Sequence, residues 1–142
     1  MNKLKKVKYL VVHHSQRKNN NSLQKIKKAH LKRGFEDIGY HYLITKTGKI
    51  IQGRSEKFQG AHVYNHNKNS IGICLTGNFD LNKPSKKQIE SLVQILKKKI
   101  KKHKVLIKNI LGHREFPKIT KTCPGRFVDM NEIRNKLKQK HL

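Results

Sequence analysis

Gly112-His113-Arg114-Glu115-Phe116-Pro117-Lys118-Ile119-Thr120-Lys121-Thr122-Cys123-Pro124-Gly125 follows an apolar run, Val105-Leu106-Ile107 and then Ile110-Leu111, that reads as a buried strand. The end of that strand delivers His113. Cys123 comes ten positions later, two after Lys121. Imidazole and thiolate are both good zinc ligands, and a catalytic zinc takes three protein ligands and leaves one vertex to water. A further donor is offered at the end of a second apolar run, Tyr9-Leu10-Val11-Val12-His13-His14. If the two runs are parallel neighbours in one sheet, their histidines emerge at the same edge, where open α/β sheets hold ligands.

Working outward, Val7 to His13 becomes apolar on both faces, as a central strand does. Ser22 suits an N-cap, and Leu23, Ile26, Ala29, His30 and Arg33 recur at helical spacing before Gly34. His30, on the inner side of that helix, reads as a packed histidine rather than a ligand. His41 to Ile44 and Lys49 to Gln52 read as a hairpin turned by Thr47-Gly48. A long polar segment, Ser55 to Asn69, precedes a strand from Ser70 to Thr76; such loops tend to carry binding residues. Ser85-Lys86-Lys87-Gln88 is a capping box, followed by the stripe Ile89, Leu92, Val93, Leu96 and Ile100. Lys97 to Lys99 and Lys101-Lys102 are expected to be solvated, as are His103 and His141. A last helix starts at Asp129-Met130-Asn131-Glu132 and packs through Ile133 and Leu137. The order predicts an α/β fold: one domain over residues 1–142, a central mixed sheet flanked by about three helices.

The charge is extreme, with 34 basic against 8 acidic residues and a net +26. A field of that sign favours polyanions, among them nucleic acid and phosphate-bearing wall polymers. The lysines spread over the whole chain rather than clustering, so a dedicated nucleic-acid surface is not expected. Two cysteines make no disulfide framework, and Cys74, inside Ile71-Gly72-Ile73-Cys74-Leu75, reads as a small buried hydrophobe. Tyr9 to Val12 is too short for a signal-peptide core, and nothing approaches the ~20 apolar residues of a membrane span. Synthesis in the cytoplasm as a soluble monomer is the expectation.

Taken together, the motifs resemble the type 2 N-acetylmuramoyl-L-alanine amidases, a superfamily that includes short phage lysozyme-amidases and animal peptidoglycan recognition proteins. The resemblance runs from Val11 to about Phe127 through Val12-His13-His14-Ser15, Gly39-Tyr40-His41-Tyr42, Gly48-Lys49-Ile50-Ile51-Gln52-Gly53-Arg54, Gly60-Ala61-His62, Asn69-Ser70-Ile71-Gly72-Ile73, Gly112-His113-Arg114-Glu115 and Thr122-Cys123-Pro124-Gly125. It implies an amidase/peptidoglycan-recognition fold and a zinc-dependent hydrolysis of the bond between the lactyl group of N-acetylmuramic acid and L-alanine. His13, His113 and Cys123 match the family's zinc ligands. His14 competes with His13, but neighbouring strand residues face opposite ways, so at most one of them reaches the metal.

By the same resemblance Lys121 matches the cation that stabilises the oxyanion, and Tyr40 the tyrosine that assists proton transfer. His62 and His41 match the floor of the substrate groove, with a loop-holding role as the alternative. Arg54 could grip a stem-peptide carboxylate or close its loop. Asn65, with His66 and Asn67, could line the groove. The picture is that of a phage or prophage lysin that reaches peptidoglycan once the membrane is breached, its charge holding it to anionic wall polymers. The alternatives are a non-catalytic peptidoglycan binder on the same fold, a cytoplasmic muropeptide-recycling amidase, and a basic nucleic-acid-binding protein.

Overall fold

The computed structural model describes residues 1–139, so His141 lies outside the described residues. Five strands form one mixed sheet: β1 (Tyr9–His14), β2 (Tyr42–Ile44), β3 (Ile50–Gln52), β4 (Ser70–Leu75) and β5 (Ile110–Gly112). Their order is β3-β2-β4-β1-β5. β1 pairs in parallel with β4 on one side and β5 on the other, β2 runs parallel to β4, and only the β2–β3 hairpin is antiparallel. Three helices cover the sheet: α1 (Leu23–Lys32), α2 (Lys86–His103) and α3 (Met130–Lys138). The expected α/β architecture is present.

The central strands are apolar on both sides because both faces are covered. Leu10 and Val12 of β1 meet Leu92, Ile95 and Leu96 of α2 and Ile133 and Leu137 of α3. Val11 points the other way, towards Val63 and Phe116. Each such side chain contributes about 2 kcal/mol by leaving water, so this alternation fixes the register of β1 and decides which way its terminal histidines face. α2 starts on the expected reciprocal cap: Ser85 Oγ accepts from Gln88 N at 3.0 Å and Gln88 Oε1 accepts from Ser85 N at 3.1 Å. Gln88 Nε2 also donates to Ile44 O and Thr76 O, which pins the helix start to the ends of β2 and β4.

Three expectations need correction. Val105 to Ile107 is not strand: Val105 is buried, Leu106 is 58% exposed, and Ile107–Asn109 is a 3-10 turn ahead of a three-residue β5. β5 is an edge strand with one partner, and only Leu10 to Val12 of β1 are opposite it, so a longer run would have nothing to pair with. Lys99 is not solvated but buried, with its Nζ on the carboxylate of Glu56. His103 also bonds to Glu56, through Nε2 at 3.1 Å, rather than standing in water. Among the described residues no helix is long and apolar enough to cross a membrane.

Candidate metal centre

β1 and β5 are parallel neighbours, and His13 and His113 leave the sheet at the same C-terminal edge. His13 lies on the Val11 side of β1. His14, one residue on, turns to the opposite side, where its Nδ1 accepts from Phe79 N at 3.1 Å and its ring lies beside that of Phe79. The alternation of the strand thus sends one histidine to each face.

Cys123 arrives on a loop that Arg114 holds in place. The Arg114 amide donates to Cys123 O at 2.8 Å, and its guanidinium donates to the carbonyls of Thr122, Gly125 and Val128. Asp80 ties the same loop from the far side, accepting from Thr122 Oγ1 at 2.8 Å and Arg126 N at 2.9 Å. Sequence reasoning gave neither residue this work. Only the position of Arg114, next to a ligand in the Gly112–Glu115 motif, was a signal.

The result is a cluster of His13, His113 and Cys123 whose donor atoms all lie within 4.8 Å of one another. Cys123 Sγ is 3.6 Å from His13 Nδ1. The edges of a zinc tetrahedron built from imidazole and thiolate are about 3.3–3.6 Å, so the donor types fit this ion and the His13–Cys123 pair already has its spacing. Burial, and then the neighbouring histidines, hold His13 far below its ordinary value; burial and then the Lys121 charge do the same, less strongly, for His113. Both rings are therefore neutral near pH 7, with lone pairs to offer. Cys123 is pushed up to about 11, mainly by burial, so the metal itself must displace its proton. The arrangement is consistent with a zinc site.

Two members of the cluster, His13 and His113, line an open cleft of about 820 Å³. Tyr40 lines it, its ring 5.2 Å from that of His13. Burial, and then the thiols of Cys74 and Cys123, raise the Tyr40 phenol well above its usual range, so it stays protonated. Lys121 is exposed on the cleft wall, close enough to His113 to lower it. Tyr64 and Asn67 line the same cleft, while Asn65, expected there, is exposed outside it with a left-handed φ of 67°.

Three of the expected substrate contacts are occupied elsewhere. Arg54 is 5% exposed and donates to Ile38 O at 2.9 Å, Gln59 O at 2.7 Å and Asp37 O at 3.0 Å; it closes its loop. His41 is fully buried, accepting from Gly72 N through Nδ1 at 3.0 Å while its Nε2 faces Phe58 O at 2.9 Å. His62 lines the cleft floor, but both of its nitrogens are engaged by protein atoms. The sequence supplies a residue type at each position; the direction of the ring depends on neighbours far along the chain. His30 is the packed histidine expected, its Nδ1 accepting from Gly39 N at 2.8 Å and its pKa drawn down to about 4, chiefly by burial.

A family model described as N-acetylmuramoyl-L-alanine amidase matches residues 3–126. Peptidoglycan-recognition protein SD of Drosophila simulans is 38% identical over 85 residues, 59% of this chain and 46% of that protein. The endolysin of Escherichia phage T7 is 32% identical over 125 residues, covering 80% of this chain and 79% of the other. The chain spans about half the length of the recognition proteins it matches first. In three dimensions it is similar to the N-acetylmuramoyl-L-alanine amidase LysC from Clostridium intestinale URNW, with a TM-score of 0.87 and 31% identity over 95% of this chain and 87% of that one.

Proposed function

The chain belongs to the N-acetylmuramoyl-L-alanine amidase family, and on that premise we propose that it is a zinc-dependent peptidoglycan hydrolase of the endolysin kind. It cleaves the amide between the lactyl group of N-acetylmuramic acid and L-alanine. The single observation that carries this reading is the His13, His113 and Cys123 cluster, whose two histidines line the cleft. Bound there, zinc supplies a Lewis acid for the carbonyl and an activated water as nucleophile. Tyr40, kept protonated by burial, holds a proton at Oη beside the metal ligands, to donate to the carbonyl oxygen or the departing amine. Lys121 on the cleft wall gives the developing oxyanion a cation. The net charge of +26 holds the protein to anionic wall polymers.

The test is product mapping on intact cell walls, with chelated and zinc-restored protein, at low and high salt. New L-alanine amino groups should appear only with zinc, and wall retention should fall steeply with salt. Walls that bind the zinc-loaded protein yet release no amino groups would leave a binding protein on an amidase fold.

Lys121→Ala is expected to lower kcat by about 10²-fold, the range for loss of one oxyanion donor. KM should stay within about threefold, because the charge acts on the transition state and not on the ground state. Lys121 is exposed, so thermal stability should not change; a steady-state comparison with wild type checks all three.

A further inference from the structure

The second coordination layer behind His13 is a directed chain of hydrogen bonds, and its direction can be read from its far end. Ser70 Oγ lies 2.6 Å from His66 O and 3.1 Å from His62 Nε2. A hydroxyl has one proton, and the carbonyl can only accept, so Ser70 donates to His66 O. Towards His62 it must then accept, which places a proton on His62 Nε2. The other nitrogen, His62 Nδ1, is left with a lone pair and lies 2.8 Å from His13 Nε2. His13 therefore carries its proton on Nε2, and its lone pair sits on Nδ1, the atom facing Cys123 Sγ.

The backbone is shaped around this chain. Gly72 of β4 has no side chain because the His62 ring occupies that space: a Cβ there would come within 2.6 Å of His62 Cγ. A Cβ on Gly60 would come within 2.6 Å of His62 Cδ2. The loop is also closed behind the ring, since Asn67 Oδ1 accepts from the amides of His62 and Val63, both at 2.9 Å.

The geometry points to His62 and Ser70 as positioning residues that set the tautomer of His13 and so present Nδ1, and not Nε2, to the metal. His62 was expected to touch substrate; here it acts through His13 instead. The inference rests on reading the cluster as a zinc site, but it concerns protons on rings and can be tested without turnover.

Two measurements on the full chain decide it. The first is long-range 1H–15N NMR of the histidine rings in the zinc-free protein. Nε2–H is expected on both His13 and His62, and a proton on His62 Nδ1 would overturn the proposal. The second is zinc affinity by chelator competition. Ser70→Ala should weaken it about 10-fold and His62→Ala up to about 100-fold, the range for loss of an outer partner of a metal-bound histidine. His62→Gln, whose Oε1 can accept from His13 Nε2, should recover most of that loss, which filling space alone does not explain. Zinc affinities of Ser70→Ala and His62→Ala equal to wild type would sink the idea, whatever the enzyme assay reads. A wild type that holds zinc with these tautomers but cleaves no wall would refute the functional reading and leave this one standing.

Discussion

Replacing Cys123 by serine is expected to cost the protein its zinc and, with it, measurable amide hydrolysis. The site has three protein donors within 4.8 Å of one another, and the thiol is the only one able to bring a negative charge. A serine hydroxyl stays protonated and is a poor zinc ligand. One ligand's share, about a quarter of the ~10–16 kcal/mol of a structural zinc site, corresponds to roughly 10²–10³ in affinity. Cys123→Asp separates loss of charge from loss of fold, because a carboxylate is also a zinc donor. It should retain part of the binding, but with a different dependence on pH. In the wild type the thiol is held up to about 11, so metal binding must release its proton throughout the neutral range. Affinity should then rise roughly tenfold per pH unit from 6 to 8. The aspartate is ionised before the metal arrives, and its slope should be nearly flat over that range. Chelator competition at three pH values reads both slopes; a flat wild-type profile would mean that the thiolate is not a ligand.

How far the sequence could be read depended on whether the deciding interaction is local. α2 and its cap were legible because a capping box and a 3.6-residue stripe are short-range patterns. The strands of His13 and His113 were legible at their ends, since a buried strand must be apolar and a ligand at its tip must be polar. The extent of β5 was not, because an edge strand is as long as its neighbour allows, and Val105-Leu106-Ile107 carries no mark of where β1 stops. The substrate groove was read least well. Histidine and arginine types were expected at the groove, but His41 and Arg54 spend their nitrogens on backbone carbonyls and amides, all but Gln59 O lying 16 or more residues away. Lys99 illustrates the same limit: in a chain with 34 basic residues nothing local marks this lysine for burial.

That buried lysine leads to the second large effect. Glu56→Ala is expected to destabilise the protein by about 3 kcal/mol or more, the usual cost of removing one partner from a buried ion pair. The Glu56 carboxylate accepts from Lys99 Nζ and Tyr42 Oη at Oε2 and from His103 Nε2 at Oε1, with Lys102 Nζ 3.7 Å away. Side-chain exposure is 14% for Glu56 and 9% for Lys99, so water cannot replace the lost partner easily. The double variant Glu56→Gln with Lys99→Met should recover most of the loss, because the penalty is the orphaned cation rather than the absence of a pair. The pH dependence has a fixed sign. Burial raises the Glu56 carboxyl, but the bonds from Lys99, Tyr42 and His103 outweigh it and bring it from its ordinary 4.5 down to about 2. A lowered folded-state value means the contribution is complete above about 4.5 and disappears as pH falls towards 2. Urea unfolding of wild type should therefore weaken across that window more than Glu56→Gln does. Activity is coupled to this cluster through the chain, since Glu56 begins the loop that passes Phe58, bonded to His41, and Gly60 before it reaches His62. Loss of Glu56 should accordingly loosen the cleft floor before the sheet unfolds, seen as faster hydrogen exchange at Gly60 to Val63 than at β1. Equal protection of the two segments in Glu56→Ala would separate the ion cluster from the metal centre.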